Sequence, residues 1–196
     1  MAKIIFFDLD GTLRETASGK TFINEPTDQK AIQGTQKALN YYQSKGFICI
    51  GITNQGGVAA GHKSLESAIE EQRITLKLFP ELAQIYFCPN YGGESCYQLS
   101  QNGQIREFKA PQPEGYIDVS CRKPGHGMLL IATQGLAEFK DCWMIGDRPE
   151  DQACAAAAGA KFIWASILHN KFAGPGMREI DCQHIDPNTL TEFLSL

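Results

Sequence analysis

The stretch Ile4-Ile5-Phe6-Phe7-Asp8-Leu9-Asp10-Gly11-Thr12, near the N-terminus, decides how this chain folds. Its four consecutive apolar residues predict a buried strand of a parallel sheet. The strand ends in one carboxylate, Asp8, and a second carboxylate, Asp10, follows two residues later. Open α/β sheets bind their ligands at the carboxyl ends of the strands. We therefore expect Asp8 and Asp10 to lie in a binding crevice, where Gly11 allows the chain to turn sharply.

The overall composition is that of a globular protein. Of the 196 residues, 43% are hydrophobic and 20% are charged, which predicts one domain over residues 1–196. No apolar run is long enough to cross a bilayer, and because Met1–Lys3 leads directly into the first predicted strand, we expect no signal peptide. The formal net charge of −4 gives no overall attraction to nucleic acid or an anionic membrane. We expect a cytoplasmic monomer or weak oligomer without a membrane partner, whose seven cysteines are reduced.

Strands and helices alternate along the chain. Further strands are predicted at residues 47–52, 85–87, 142–145 and 161–165, and helices at 28–45, 64–79, 125–139, 149–159 and 187–194. This alternation predicts an α/β fold, a doubly wound three-layer sandwich with a central parallel sheet. Residues 13–27 are predicted to form a loop or small hairpin, and residues 88–121 an irregular loop insertion. Neither segment is long enough for a separate cap domain with its own core, so the site should be open.

Polar residues follow the predicted strands or open the helices beside them. Taken alone, Thr53 with Asn54 would be a turn, Asp147 a helix N-cap and Lys123 a surface lysine. Their joint order along one edge of the sheet argues for a common site. The polar residues expected at this edge are Asp8, Asp10, Thr53, Asn54, Arg122, Lys123, Asp147 and Asp151.

Phosphoryl transfer requires these residue types. Mg²⁺ prefers oxygen ligands, which the carboxylates of Asp8 and Asp147 and the backbone carbonyl of Asp10 can supply. Lys123 would neutralise charge on a transferring phosphoryl group, and Thr53 would donate a hydrogen bond to its oxygens. The free oxygen of Asp8 can act as a nucleophile, which gives an aspartyl-phosphate. Asp10 would protonate the leaving oxygen and later accept a proton from the attacking water.

Four segments of the chain form an ordered set: Asp8-x-Asp10-Gly11-Thr12, Thr53-Asn54-Gln55, Arg122-Lys123-Pro124 and Gly146-Asp147-Arg148-x-x-Asp151. They resemble the four motifs of the haloacid dehalogenase superfamily of phosphatases. Within it, the chain is similar to the cap-poor group of histidinol-phosphate and heptose-bisphosphate phosphatases and the phosphatase domain of polynucleotide kinase/phosphatase. The resemblance covers residues 4–165. It implies a haloacid dehalogenase-like, Rossmannoid fold and a Mg²⁺-dependent phosphoric monoester hydrolase.

The resemblance also implies roles for individual residues, and it repeats the nucleophile, acid/base and metal roles given above. Asn54 would help to hold the phosphoryl group. Arg122 and Arg148 match positions that contact the substrate in the sugar phosphatases. Asp151 matches a position that orients the lysine of the site, Lys123, or a metal-bound water, so it would stand behind the metal ligands.

The segment before Arg122 departs from its relatives. Many sugar phosphatases of this group carry a zinc loop there, with the pattern Cys-x-His and then Cys-x-Cys. In this chain Asn90 stands at the histidine position and Val119 at one cysteine position. A structural zinc site needs four ligands, and Asp118 is the nearest candidate for the fourth. We expect less than stoichiometric zinc on the cysteines that remain, which are Cys88, Cys96 and Cys121.

Two substrate classes remain open. A small sugar or amino-alcohol phosphate is favoured by the segment at Thr53 and by the run at residues 121–124. A polynucleotide 3′-phosphatase acting on nucleic-acid ends is favoured by Ser18-Gly19-Lys20-Thr21-Phe22, although the acidic net charge counts against it and the chain has no kinase P-loop. A non-enzymatic phosphate- or metal-binding module would need a lost catalytic aspartate, whereas both Asp8 and Asp10 are present.

Overall fold

A computed structural model of the protein describes residues 2–112, 119–173 and 185–196. Its central strands are β1 (Lys3–Phe7), β4 (Phe47–Asn54), β5 (Leu82–Cys88), β6 (Ser95–Ser100), β7 (Ile105–Lys109), β8 (Trp143–Gly146) and β9 (Lys161–Trp164). Within the described residues, these seven strands form one sheet in the order β7-β6-β5-β4-β1-β8-β9. A separate antiparallel ribbon pairs β2 (Arg14–Glu15) with β3 (Lys30–Ala31).

The middle of the sheet is parallel, as predicted. Strand β1 pairs in parallel with β4 on one side and with β8 on the other, and β5 and β9 continue the parallel pairing outward. The four apolar residues of β1 are fully buried, and they alternate between the two faces of the sheet. The parallel strands all end at the same edge, which is where the polar residues singled out above are found.

The prediction of an irregular insertion at residues 88–121 is wrong for its central part. Strands β6 and β7 form a hairpin there, and β6 pairs antiparallel with β5, so the sheet is mixed. Polar residues such as Gln98 and Ser100 hide the alternation of β6 in the sequence, although Cys96 and Leu99 are fully buried. Gly103, with φ of 80°, lies in the turn of the hairpin.

The helices are α1 (Thr35–Ser44), α2 (Gly56–Ala59), α3 (Leu65–Leu78), α4 (Gly127–Thr133), α5 (Pro149–Ala158), α6 (Ala165–Ala173) and α7 (Pro187–Ser195). Ser64 caps α3, as predicted, because its Oγ accepts a hydrogen bond from the amide of Ser67 at 3.1 Å. Two predicted helices are shorter than expected. Residues 30–31 form a strand before α1, and α4 ends where Gln134 and Gly135 take positive φ.

Helices cover both faces of the sheet and complete the three layers. On one face, α1, α3, α6 and α7 pack on a cluster that includes Ile5, Phe7 and Trp143. On the other face, α4 and α5 pack on a cluster that includes Ile4 and Phe6. No helix among the described residues is long and apolar enough to cross a membrane. In the described parts of residues 8–34 and 89–126, only short strands and loops stand beside the carboxyl edge of the sheet.

Candidate active site

Asp8 is the first residue after β1, and its position is fixed by the sheet. Its amide donates a hydrogen bond to Ile145 O at 2.8 Å, which continues the pairing of β1 with β8. The carboxylate is nearly buried: Oδ1 lies 2.5 Å from Lys123 Nζ, and Oδ2 accepts a hydrogen bond from Thr12 Oγ1 at 3.2 Å. Burial raises the pKa of Asp8 to about 7, against the opposing effect of the Lys123 ammonium.

The ammonium of Lys123 contacts Asp8 directly. Its Nζ donates to Asp8 and also to Asp151 Oδ1 at 2.6 Å and Ile52 O at 3.2 Å. Burial disfavours the charged form, but the two carboxylates outweigh it and hold the pKa of Lys123 above its usual value. Asn54, at the end of β4, forms two hydrogen bonds with the backbone of Lys123. Its Nδ2 donates to Lys123 O and its Oδ1 accepts from Lys123 N, both at 3.0 Å.

Three carboxylates come together at the edge of the sheet. Oxygens of Asp8, Asp147 and Asp151 lie within 4.8 Å of one another. Asp147 is exposed to the cleft. Partial desolvation by the surrounding protein and the nearby Asp151 carboxylate raise the pKa of Asp147. Gly11 is packed against it: a Cβ at Gly11, whose φ is +88°, would lie 2.2 Å from Asp147 Oδ2. Hard oxygen donors at this spacing fit Mg²⁺, which usually keeps several waters.

The side chain of Asp10 lies apart from this acidic group. Arg14 Nε donates to Asp10 Oδ1 at 2.9 Å, and Thr53 Oγ1 approaches Asp10 Oδ2 at 3.4 Å. Burial would raise the pKa of Asp10, but Arg14 outweighs it, so the pKa is below its usual value. Metal binding by the backbone carbonyl of Asp10 stays a prediction. Asp151, which was expected behind the metal ligands, is itself a member of the acidic group.

A buried charged network beside Asp10 was missed from the sequence. Arg14 contacts Glu71 of α3 at 2.5 Å, and Glu71 also accepts from Gln55 at 3.0 Å and from Lys63. The one available signal was the position of Glu71. It lies on the same face of α3 as the buried Ala68, so a charge there needs buried partners. Nothing in the sequence pattern identified those partners.

The two remaining predicted arginines differ in their surroundings. The guanidinium of Arg122 lies over the ring of Tyr91, 5.3 Å from its centroid, and its Nη1 has no hydrogen-bond partner among the described residues. Arg148 is exposed, and its amide donates to Asp151 Oδ2 at 3.1 Å. This second bond leaves both oxygens of Asp151 engaged.

One cleft of about 880 Å³ contains the whole site. Residues 19–24, with Phe22 exposed, and Tyr91 form part of its lining. Lys20 and Lys63 add positive charge to the lining. All nine predicted site residues line this cleft: Asp8, Asp10, Thr53, Asn54, Arg122, Lys123, Asp147, Arg148 and Asp151.

The cysteines of the predicted zinc segment are core residues. Cys88, Cys96 and Cys121 are fully buried in one cluster, and none of the three forms a disulfide. Cys88 Sγ approaches Asn90 O at 3.4 Å, and the hydrogen bond from Cys96 lowers the pKa of Cys121. Among the described residues, the acidic group above is the one set spaced for a metal. Asp118 lies outside the described residues, so the zinc expectation stays a prediction.

Comparison with known protein families gives one match over most of the chain. The family model described as polynucleotide kinase 3 phosphatase matches residues 3–172. D-glycero-beta-D-manno-heptose-1,7-bisphosphate 7-phosphatases are similar in sequence. That of Haemophilus ducreyi is 30% identical over 169 residues, covering 81% of this chain and 80% of the relative. That of Escherichia coli strain K12 is 30% identical over 159 residues, covering 79% and 73%.

Solved structures share the fold. The D,D-heptose 1,7-bisphosphate phosphatase of B. bronchiseptica, complexed with magnesium and phosphate, superposes with a TM-score of 0.56 at 20% identity, covering 82% of this chain and 78% of that one. A HAD-like phosphatase from Mesorhizobium loti gives 0.62 at 19% identity, covering 99% and 85%. At these identities the likeness establishes the three-layer α/β architecture.

Proposed function

Because this chain belongs to the polynucleotide kinase 3 phosphatase family, within the haloacid dehalogenase superfamily of phosphatases, we propose that it hydrolyses small sugar phosphates with Mg²⁺. It is a phosphoric monoester hydrolase. The observation that carries the proposal is the placement of Asp8. Its carboxylate contacts the buried ammonium of Lys123 and lies beside the carboxylates of Asp147 and Asp151, in an open cleft.

Asp8 is the proposed nucleophile. One carboxylate oxygen forms a bond to phosphorus while the bond from phosphorus to the substrate oxygen breaks, which leaves an aspartyl-phosphate. Water then attacks the same phosphorus, and the Asp8 carboxylate is released with inorganic phosphate. Against the larger effect of burial, Lys123 lowers the pKa of Asp8, and a cation bound beside the carboxylate would lower it further, so that the ionised form is available for attack at neutral pH.

Lys123 and Thr53 are proposed to stabilise charge on the phosphoryl oxygens. The Lys123 ammonium is desolvated and preorganised by Asp8 and Asp151, so it needs little reorganisation during the reaction. The side-chain amide of Asn54 binds the backbone of Lys123 through both its nitrogen and its oxygen. We therefore assign Asn54 to holding Lys123 in place, which refines its expected role in direct phosphoryl binding.

Asp10 is proposed to move the proton. It protonates the leaving oxygen in the first step and accepts a proton from the attacking water in the second. Its carboxylate faces Thr53 and is part-exposed to the cleft, where a leaving group can reach it. Arg122 and Arg148 line the same cleft and are proposed to contact the rest of the substrate.

The acidic group is the proposed Mg²⁺ site. Asp8 and Asp147 would hold the ion, with Asp151 beside them, because their oxygens lie within 4.8 Å of one another and Asp147 faces the cleft. When bound, Mg²⁺ would neutralise and orient the phosphoryl group. The magnesium and phosphate in the B. bronchiseptica phosphatase support this choice of metal.

The decisive experiment is a phosphatase screen with Mg²⁺ across sugar phosphates, nucleotides and 3′-phosphorylated oligonucleotides, with the Asp8→Asn variant as the blank. We expect release of inorganic phosphate from at least one sugar phosphate, which chelator stops and added Mg²⁺ restores. Equal phosphate release by the wild type and Asp8→Asn would refute the mechanism. Turnover that survives chelator would refute the metal assignment.

Polynucleotide 3′-phosphatase activity is the second candidate, and one observation favours it. Phe22 is 65% exposed and Tyr91 60% exposed, and both line the cleft, where exposed aromatic rings can stack on nucleic-acid bases. If this candidate is right, Phe22→Ala raises KM for a 3′-phosphorylated oligonucleotide and leaves KM for a sugar phosphate unchanged. Leu136→Ala, at another exposed apolar residue outside the cleft lining, is the matched control.

A further inference from the structure

Arg14 is a fully buried arginine whose guanidinium is held on every side. The turn after β1 brings it back beside Asp10, because Arg14 N donates to Leu9 O at 2.9 Å and Gly11 N donates to Arg14 O at 2.8 Å. Its Nε and Nη2 then contact both oxygens of Asp10, at 2.9 and 3.4 Å. A buried guanidinium requires such partners, since desolvation of an unpaired charge is costly.

Each of the five N–H groups of Arg14 has an acceptor. Besides the two bonds to Asp10, Nη2 donates to Glu71 Oε1 at 2.5 Å, and Nη1 donates to Gln29 Oε1 at 3.1 Å and to Thr75 Oγ1. A guanidinium offers five donors in one plane, so this set of acceptors leaves it a single orientation. The acceptors on Gln29, Thr75 and Glu71 therefore fix the direction in which the guanidinium faces Asp10.

Glu71 and Lys63 form the support for that orientation. The side chain of Glu71 is buried on α3, and its carboxylate accepts hydrogen bonds from Arg14, Gln55 and Lys63. Lys63 also donates to Gln55 Oε1 at 2.9 Å and to Ile23 O at 2.6 Å. Two carboxylates and two cations thus alternate from Asp10 to Lys63, and the charges are compensated pairwise.

Asp10 is in a different position, because its side chain is 44% exposed and faces the cleft. A short carboxylate at a cleft could rotate toward the acidic group of Asp8 and Asp147. The two-point contact with Arg14 keeps it turned away from that group. Proton transfer needs the carboxylate within hydrogen-bond distance of the reacting oxygen, and a displacement of about 1 Å can cost about 10²-fold in rate.

We propose that Arg14 is a positioning residue for the reaction: it fixes the Asp10 carboxylate where the proton is exchanged, and Glu71 fixes Arg14. This inference rests on the proposed phosphatase mechanism. The observation behind it is that the buried network ends on Asp10, a part-exposed carboxylate that lines the cleft. A network that served folding alone would be expected to end on buried groups.

The test uses the dependence of rate on the leaving group. Phenyl phosphate has a poor leaving group that needs a proton, and 4-nitrophenyl phosphate has a good one that needs it much less. Arg14→Lys keeps the charge and loses the planar fork. We expect it to lower kcat/KM for phenyl phosphate, which covers the steps up to the aspartyl-phosphate, by about 10- to 100-fold, and kcat/KM for 4-nitrophenyl phosphate by much less.

A double-mutant comparison separates positioning from structure. In the Asp10→Asn background, Arg14→Lys should change kcat/KM less than about twofold, because residues that act as a unit are not additive. Glu71→Gln should reproduce the leaving-group signature, and Glu70→Gln, the exposed neighbour on the same helix, should not. Circular dichroism and Tm identify folded variants. If Arg14→Lys does not fold, the Glu71→Gln and Glu70→Gln pair decides.

The inference is overturned by equal losses of kcat/KM on both substrates or by additive effects of Arg14→Lys and Asp10→Asn. Its failure can be told apart from failure of the proposed function. If the wild type releases no phosphate from either substrate, the phosphatase mechanism fails. If the wild type is active and Asp10→Asn shows the leaving-group signature but folded Arg14→Lys and Glu71→Gln behave like the wild type, only the role of Arg14 is refuted.

Discussion

The Nζ of Lys123 lies 2.5 Å from Oδ1 of Asp8, and both side chains are almost completely buried. The contact joins the end of β1 to a segment 115 residues later in the chain. It places the proposed nucleophile and a compensating cation side by side in the cleft. The properties of this pair govern the first two predictions.

Asp8→Asn should abolish turnover of any phosphomonoester and leave the fold intact. The amide is isosteric with the carboxylate but cannot form the aspartyl-phosphate. Phosphate release and circular dichroism are the measurements. An Asp8→Asn variant with wild-type activity on 4-nitrophenyl phosphate would contradict the nucleophile assignment. Asp10→Asn should instead reduce kcat/KM by about 10²-fold or more, most strongly for phenyl phosphate.

The pKa of Asp8 predicts how the stability of the metal-free protein depends on pH. The ordinary value of 3.8 is raised to about 7 in the folded protein, so the proton binds more tightly to the folded state. This contribution to stability is complete below pH 3.8 and is lost as the pH rises through about 7. With chelator present, the Tm of the wild type relative to Asp8→Asn should therefore fall over that interval. A constant difference would show that the carboxyl is not buried in this way.

Metal dependence should separate the two aspartates that follow β8. Asp147→Ala removes an exposed proposed ligand and should raise the Mg²⁺ concentration for half-maximal activity strongly. Asp151→Ala should raise it less, by about 10- to 100-fold at most, and should lower kcat because Lys123 loses a partner. Activity measured against Mg²⁺ concentration tests both. The reverse order would exchange the proposed roles of the two carboxylates.

Gly11→Ala should impair the metal site as well as the fold. The φ of +88° costs an alanine about 1–2 kcal/mol, and the new methyl group would overlap Asp147 Oδ2. Gly103→Ala is the matched control, because its φ is +80° and no atom lies within 4 Å of a Cβ there. We expect a similar Tm loss from the backbone term in both variants. A higher Mg²⁺ concentration for half-maximal activity in Gly11→Ala alone is the expected difference, and its absence would mean that Asp147 moves aside freely.

Protein purified without added metal should carry less than one zinc per chain. Cys88, Cys96 and Cys121 pack in the core, and Cys96 with Cys121 forms a thiol hydrogen bond that a serine can replace. Cys96→Ser should therefore change Tm little. Elemental analysis giving one tightly held zinc, lost in Cys96→Ser together with a large fall in Tm, would reverse this prediction.

The parts of the molecule that the sequence predicted well have local signals. The apolar run of β1 followed directly by Asp8 predicted a buried strand with a carboxylate at the cleft end of the sheet, and the structure has both. Helix α6 was not predicted because it follows β9 without a turn residue between them. The contact of Arg14 with Glu71 spans 57 residues, and no local pattern pairs two such polar side chains. Long-range polar contacts of this kind became visible once the fold placed α3 beside the turn after β1.

The two hydrogen bonds between Asn54 and the backbone of Lys123 have a consequence for how the cleft of this fold can change. Two hydrogen bonds from the Asn54 side chain attach the backbone of Lys123 to the end of β4. Tyr91, which lines the cleft beside Arg122, is not one of the groups that make these two bonds. A substitution at Tyr91 would therefore reshape the cleft wall while both bonds to Lys123 remain. Substrate preference can change at this position without a change in the side chain that holds the lysine.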